Sequence, residues 1–199
     1  MKQVRPYSAF RPGKGGRDLA PSGRTRRDTA IRLATLAIFA LAMGWLEGVL
    51  ALYLRKLIGL EGSLDMLDPR TQEMLFKKFA VMNSVGEGGH LTPRFLFVEQ
   101  TREAVTIVML AAVAFLSAAD WRKRAAYFLF TFGVWDLAYY GTLWTLLRWP
   151  PSWGTLDLLF LIPGPWIAQA WIPMVISVCF IAWGTWTVFD SIPAGKRRQ

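Results

Sequence analysis

Six side chains set in apolar sequence raise the chemical question of this chain: Glu47, Glu99, Arg102, Glu103, Asp136 and Tyr140. Carboxylates brought together away from water can exchange protons or hold a hard cation, and an arginine among them can neutralise one or two. Glu99 and Glu103 are one helical turn apart with Arg102 between them, so a helix carries all three on one face. Glu47 belongs to a set with Ala40, Gly44, Gly48 and Ala51 that covers an arc of about 100° on a helical wheel. Small residues at that spacing let helices approach closely, so the arc should face other helices. Asp136, Tyr139 and Tyr140 share a third such face.

A charge in mid-membrane costs on the order of 2.5–3.5 kcal/mol on insertion scales, so these groups should seek one another. The expectation is one buried polar cluster of Glu47, Glu99, Arg102, Glu103, Asp136 and Tyr140. Arg102 bridges Glu47 to Glu103 or Asp136. Asp157, Trp166 and Gln169 stand at its mouth as a lid or pocket wall. The cluster reads as an internal ion-pair network, as a proton or ion pathway, or as a metal site made from Glu47, Glu99, Glu103, Asp136 and His90. The paired Glu-x-x-His repeats of di-iron helical bundles are missing from the sequence, and no cofactor is expected. A single cysteine, Cys179, and a single histidine, His90, exclude an intrachain disulfide, bis-histidine haem and a zinc cluster built from this chain alone.

The elements that must position these groups follow from composition. Of 199 residues, 53% are hydrophobic, with ten Trp and thirteen Phe; soluble domains average roughly 45–50%. Apolar stretches cover about 31–54, 95–119, 125–147 and 165–189, each near the roughly 20 residues that cross a bilayer. The fold class is therefore all-α: a polytopic membrane protein with four transmembrane helices in a bundle. Residues 30–189 form the transmembrane domain. Residues 1–29 form a basic, Gly- and Pro-bearing tail with too little apolar surface to order itself, and 190–199 form a second basic tail. The first apolar core, about 24 residues, exceeds the roughly 7–15 of a signal peptide and reads as an uncleaved anchor.

Loop charges give the direction. The formal charge is +6 over residues 1–29, +2 over 120–124 and +2 over 190–199, but only +1 over 55–94 and zero over 148–164. Both termini are expected in the cytoplasm of a cell with a bacterial-type inner membrane. Within 55–94, Asp68-Pro69 starts an amphipathic run through Leu75, Phe76, Phe79 and Met82, read as an interfacial helix. Leu156 to Ile162 is apolar but too short to span, and reads as a re-entrant or interfacial segment.

The functional expectation is a multi-pass protein with an outward-facing polar pocket, acting as an accessory subunit of a larger membrane complex. The alternatives are a small ion- or proton-coupled transporter and a membrane enzyme using carboxylates as acid, base or metal ligands. Partners are the lipid bilayer, other membrane subunits or further copies of the chain. Nucleic acid is not expected, since no aromatic stacking platform accompanies the basic tail. In a Cys179→Ser background, a membrane-impermeant thiol reagent applied from outside should label Glu87→Cys and miss Lys123→Cys. The reverse pattern would invert the topology.

Overall fold

The computed structural model describes residues 26–57, 93–164 and 166–191. The chain runs α1 (Arg26–Leu57), α2 (Pro93–Ser117), α3 (Trp121–Leu147), β1 (Leu156–Phe160), β2 (Trp166–Gln169) and α4 (Trp171–Asp190). The fold is mostly helical, with one two-stranded antiparallel hairpin. The interfacial helix expected after Asp68, the candidate ligand His90 and most of both tails lie outside the described residues.

Three expected boundaries change. Helix α1 starts at Arg26, so residues 26–29 belong to the helix and not to the tail; Asp28 in its first turn favours the helix dipole. The segment read as re-entrant or interfacial is strand β1, paired with β2 through Leu156 to Gln169, Asp157 to Ala168 and Leu158 to Ile167. Two short apolar runs joined by Pro163-Gly164 form a hairpin because each strand satisfies the other's backbone groups. The fourth apolar stretch therefore divides: its first residues form β2, and the helix begins only at Trp171. Pro173 then lies in the first turn of α4, where amide groups lack intrahelical partners in any case.

Among the described residues, three helical segments are long and apolar enough to cross a membrane: Arg26–Leu54, Phe97–Ser117 and Trp171–Asp190. Helix α3 has the length, at 27 residues, but its Tyr, Thr, Gly and charged residues make it less apolar. Its position explains that composition. Helices α1 and α4 pack on it more extensively than any other pair of helices pack together, and α2 covers part of what remains.

The α3 contacts are made by backbone meeting backbone. A Cβ placed on Gly44 would come 2.5 Å from the carbonyl oxygen of Trp135, and one on Gly133 would come 2.5 Å from that of Ser177. In a bilayer helices have no hydrophobic drive toward one another, and close van der Waals approach of this kind takes its place. At its start α3 is capped by Asp120, which accepts from the Lys123 amide at 3.1 Å. It ends at Arg148, whose φ of 55° turns the chain toward the hairpin.

The interior is layered. At the end where α1 and α3 begin, called here the basic end, Leu33, Leu36, Ala114, Ala118, Ala126, Tyr127, Phe130 and Val188 form a largely apolar layer. Ala40, Met43, Leu110 and Trp135 form the middle. At the hairpin end, Tyr140, Leu143, Trp149 and Ala170 pack together.

Gly44→Ala should lower stability by about 1–3 kcal/mol, because the obstructing atom is a backbone carbonyl that cannot rotate away. Gly141→Ala, whose added Cβ meets nothing within 4 Å, should be neutral or stabilising by up to about 1 kcal/mol. Thermal unfolding of the purified variants in detergent separates the two.

Candidate functional site

The polar side chains do not form one cluster but a chain of contacts, all but the Arg102–Glu99 pair crossing between two elements. Glu47 of α1 is 6% exposed. Its Oε2 accepts from Nη1 of Arg102 on α2, and its Oε1 from the hydroxyl of Thr106, one turn further along α2. Arg102 also donates through Nε to Oε2 of Glu99 at 2.8 Å. One guanidinium thus serves two carboxylates, one from its own helix and one from α1.

Glu103 turns the other way. Its Oε2 accepts the backbone amide of Leu161, the residue after β1, at 2.8 Å. Gln100 donates through Nε2 to the carbonyl oxygen of the same residue at 3.1 Å. Two side chains one turn apart on α2 therefore take both backbone groups of Leu161, as a neighbouring strand would.

The hairpin is fastened to α3 at its other side. The hydroxyl of Tyr140 donates to Oδ2 of Asp157 at 2.7 Å, and both residues are buried. Tyr140 stacks on Trp149 at 6.2 Å between ring centroids, and Trp149 is itself buried. Asp136, one turn before Tyr140, accepts from the Ser177 hydroxyl of α4 at 2.8 Å. Asp136 and Asp157 lie within electrostatic reach of each other, and Tyr140 within reach of both.

The predicted residues are thus brought together in two groups. Glu47, Glu99 and Arg102 meet directly, with Glu103 alongside them on the hairpin. Tyr140 and Asp157 meet directly, and Asp136, held by Ser177, lies within electrostatic reach of both. The expected bridge from Arg102 to Glu103 or Asp136 is replaced by one to Glu47 and Glu99, because Glu103 is committed to Leu161 and Asp136 to Ser177. Of the proposed lid residues, Asp157 is buried in the network, whereas Trp166 and Gln169 are exposed. Gln169 accepts from the Trp171 indole at 2.7 Å. Among the described residues no three His, Cys, Asp or Glu side chains are grouped as a metal ion would require, and Arg102 stands where a cation between Glu47 and Glu99 would sit.

Sequence reasoning missed Gln100 and Ser177 as partners. Each carried a signal: an amide beside Glu99, and a hydroxyl in a fourth span with few other polar groups. The backbone of Leu161 carried none, since an acceptor for it depends on how the hairpin folds back over α2. Comparison with protein-family models, with curated proteins and with solved structures gives no match.

Arg102→Met strands Glu47 in the interior and should cost about 3–5 kcal/mol. Adding Glu47→Gln to that variant should restore part of the loss, because an amide is far less costly to bury than an unpaired charge. A double mutant less stable than Arg102→Met in denaturant unfolding would show that the pair is not what stabilises this contact.

Proposed function

We propose that this chain is a four-span protein of a bacterial-type inner membrane, with both termini cytoplasmic and the hairpin outside, and that it serves as a non-transporting subunit of a larger membrane complex. The observation that supports this reading is the division of the interior. The buried carboxylates Glu47, Asp136 and Asp157 lie in the middle and hairpin half, while the layer from Leu33 to Val188 in the basic half holds buried hydroxyls, those of Thr29, Tyr127 and Thr187, but no buried acid among the described residues. A proton-coupled carrier relays protons through titratable groups toward both faces, and a half without buried acids supports no such relay. Each described acid of the network, moreover, already accepts a hydrogen bond, and those bonds hold elements together.

The exposed apolar surface fits the same reading. Val105, Val108 and Leu116 of α2 are 53%, 65% and 84% exposed, which suits contact with lipid or with another membrane helix. In proteoliposomes the purified protein should leave an imposed pH gradient intact. In intact membranes, Val108→Cys should cross-link into one defined larger species. A gradient that collapses, and is protected by Glu47→Gln or Asp136→Asn, would overturn the reading in favour of an ion-coupled transporter.

The Asp136–Asp157 pair supports a second reading. Two buried carboxylates from separate elements, each accepting from a hydroxyl, suit hydrolysis in which one acts as base and the other as acid. Asp157→Asn keeps an acceptor for Tyr140. Lost complementation of a chromosomal deletion at unchanged stability would favour that chemistry.

A further inference from the structure

Outside the polar network, the described residues hold a groove of about 470 Å³ between the first turns of α1 and the last turns of α2. Its size is that of a small-molecule site. It is open at the side, where Ile31 and Leu116 are 55% and 84% exposed. The helices run antiparallel there, with Arg32 of α1 donating through Nη1 to the carbonyl oxygen of Ser117 near the end of α2.

The lining is ordered along its length. Asp28 comes first from the end of the bundle, Arg32 one turn further in, and then the apolar Leu36 and Val113. Four residues of helix separate the acid from the base by about 6 Å along the axis. An aminophospholipid has the same order read inward from water: a primary ammonium, a phosphate, then acyl chains. From this match we propose that the groove seats one phospholipid with a primary-ammonium headgroup. Its phosphate lies on Arg32, its ammonium on Asp28, and its chains along Leu36 and Val113.

The chemistry of each group agrees. A guanidinium has five N–H donors, and one bond to Ser117 leaves a face for phosphate oxygens. A carboxylate accepts several hydrogen bonds at once, so Asp28 can take an ammonium N–H in addition to its contacts within the protein. A choline headgroup has no N–H to give. A headgroup that is only anionic meets the charge of Asp28. The exposed Arg26, Arg27 and Arg122 at the same end attract any anionic surface without selecting a headgroup, so they do not reproduce this preference.

This proposal rests on reading α1 and α2 as membrane spans, and one experiment separates the two. The full chain, purified in mild detergent, is titrated with dioleoyl phosphatidylethanolamine, phosphatidylcholine or phosphatidylglycerol and followed by native mass spectrometry and thermal unfolding. Phosphatidylethanolamine should give a single saturable adduct, bound roughly tenfold more tightly than phosphatidylcholine, the scale of one charge-assisted hydrogen bond. Asp28→Asn should reduce that preference to near unity. Thr35→Trp, which fills the groove and leaves Asp28 and Arg32 in place, should abolish the adduct while the protein still unfolds cooperatively. Equal binding of the ethanolamine and choline lipids, tighter binding of phosphatidylglycerol, or a preference that survives both substitutions would overturn the proposal while the membrane reading stands. A chain recovered in the aqueous fraction without detergent would overturn both.

Discussion

A carboxylate removed from water must find a donor, and in this protein the donor sits on a different element in nearly every case. Glu47 of α1 takes its bonds from α2, Glu103 of α2 from the hairpin, Asp157 of the hairpin from α3, and Asp136 of α3 from α4. The contacts run through the whole described fold in sequence. Leaving one such group unpaired costs several kcal/mol, so an arrangement that separates any neighbouring pair of elements meets that penalty. The polar residues therefore specify which elements lie side by side. A purely apolar bundle of the same helices would leave that choice to packing alone.

The packing supplies what the polar contacts cannot. Hydrogen bonds fix partners but tolerate rotation, whereas Gly44 and Gly133 admit only one depth of approach to α3. The two devices meet on the same face. Gly44 and Gly48 flank Glu47, so the close contact with α3 and the ion pair with α2 set α1 from two directions at once. Central placement also explains why α3, unlike the other three helices, has no long apolar window: surrounded on three sides, it can carry Asp136, Thr131 and Tyr140 without exposing them.

The helices and the faces of their polar residues could be read from sequence because both rest on local periodicity. Ala40, Gly44, Glu47, Gly48 and Ala51 announce a contact face wherever the partner lies. The register of Glu99, Arg102 and Glu103 likewise follows from helix geometry. What could not be read is which neighbour each face meets. Arg102 could equally have bridged to Glu103 or Asp136, and distant partners decide the matter: the Leu161 amide of the hairpin takes Glu103, and Ser177 of α4 takes Asp136. The hairpin itself was hidden because Leu156 to Ile162 is apolar apart from Asp157, and a run of that length has no period that distinguishes strand from buried helix. Its partner strand was hidden in turn, since Trp166 to Gln169 continues without interruption into the apolar sequence of α4.

Helix α2 shows how these two devices trade against each other. It makes few close packing contacts with α1 and presents much of its surface outward. At its hairpin end it is held through Arg102, Gln100 and Glu103. At its basic end Arg32 and Arg124, from α1 and α3, donate to the carbonyls of Ser117 and Ala118. Those carbonyls carry the negative end of the helix dipole and lack intrahelical donors, so two cations satisfy them and are favoured by the dipole together. Arg124 also lies over the Phe115 ring, 3.5 Å from its centroid, which shields the charge with apolar surface. Fixed at both ends and loosely packed between them, α2 leaves a gap against α1 at the level of Leu36 and Val113. The groove there follows from the way α2 is held: charge-assisted bonds can anchor a helix at points, but only side-chain packing closes the space along its length.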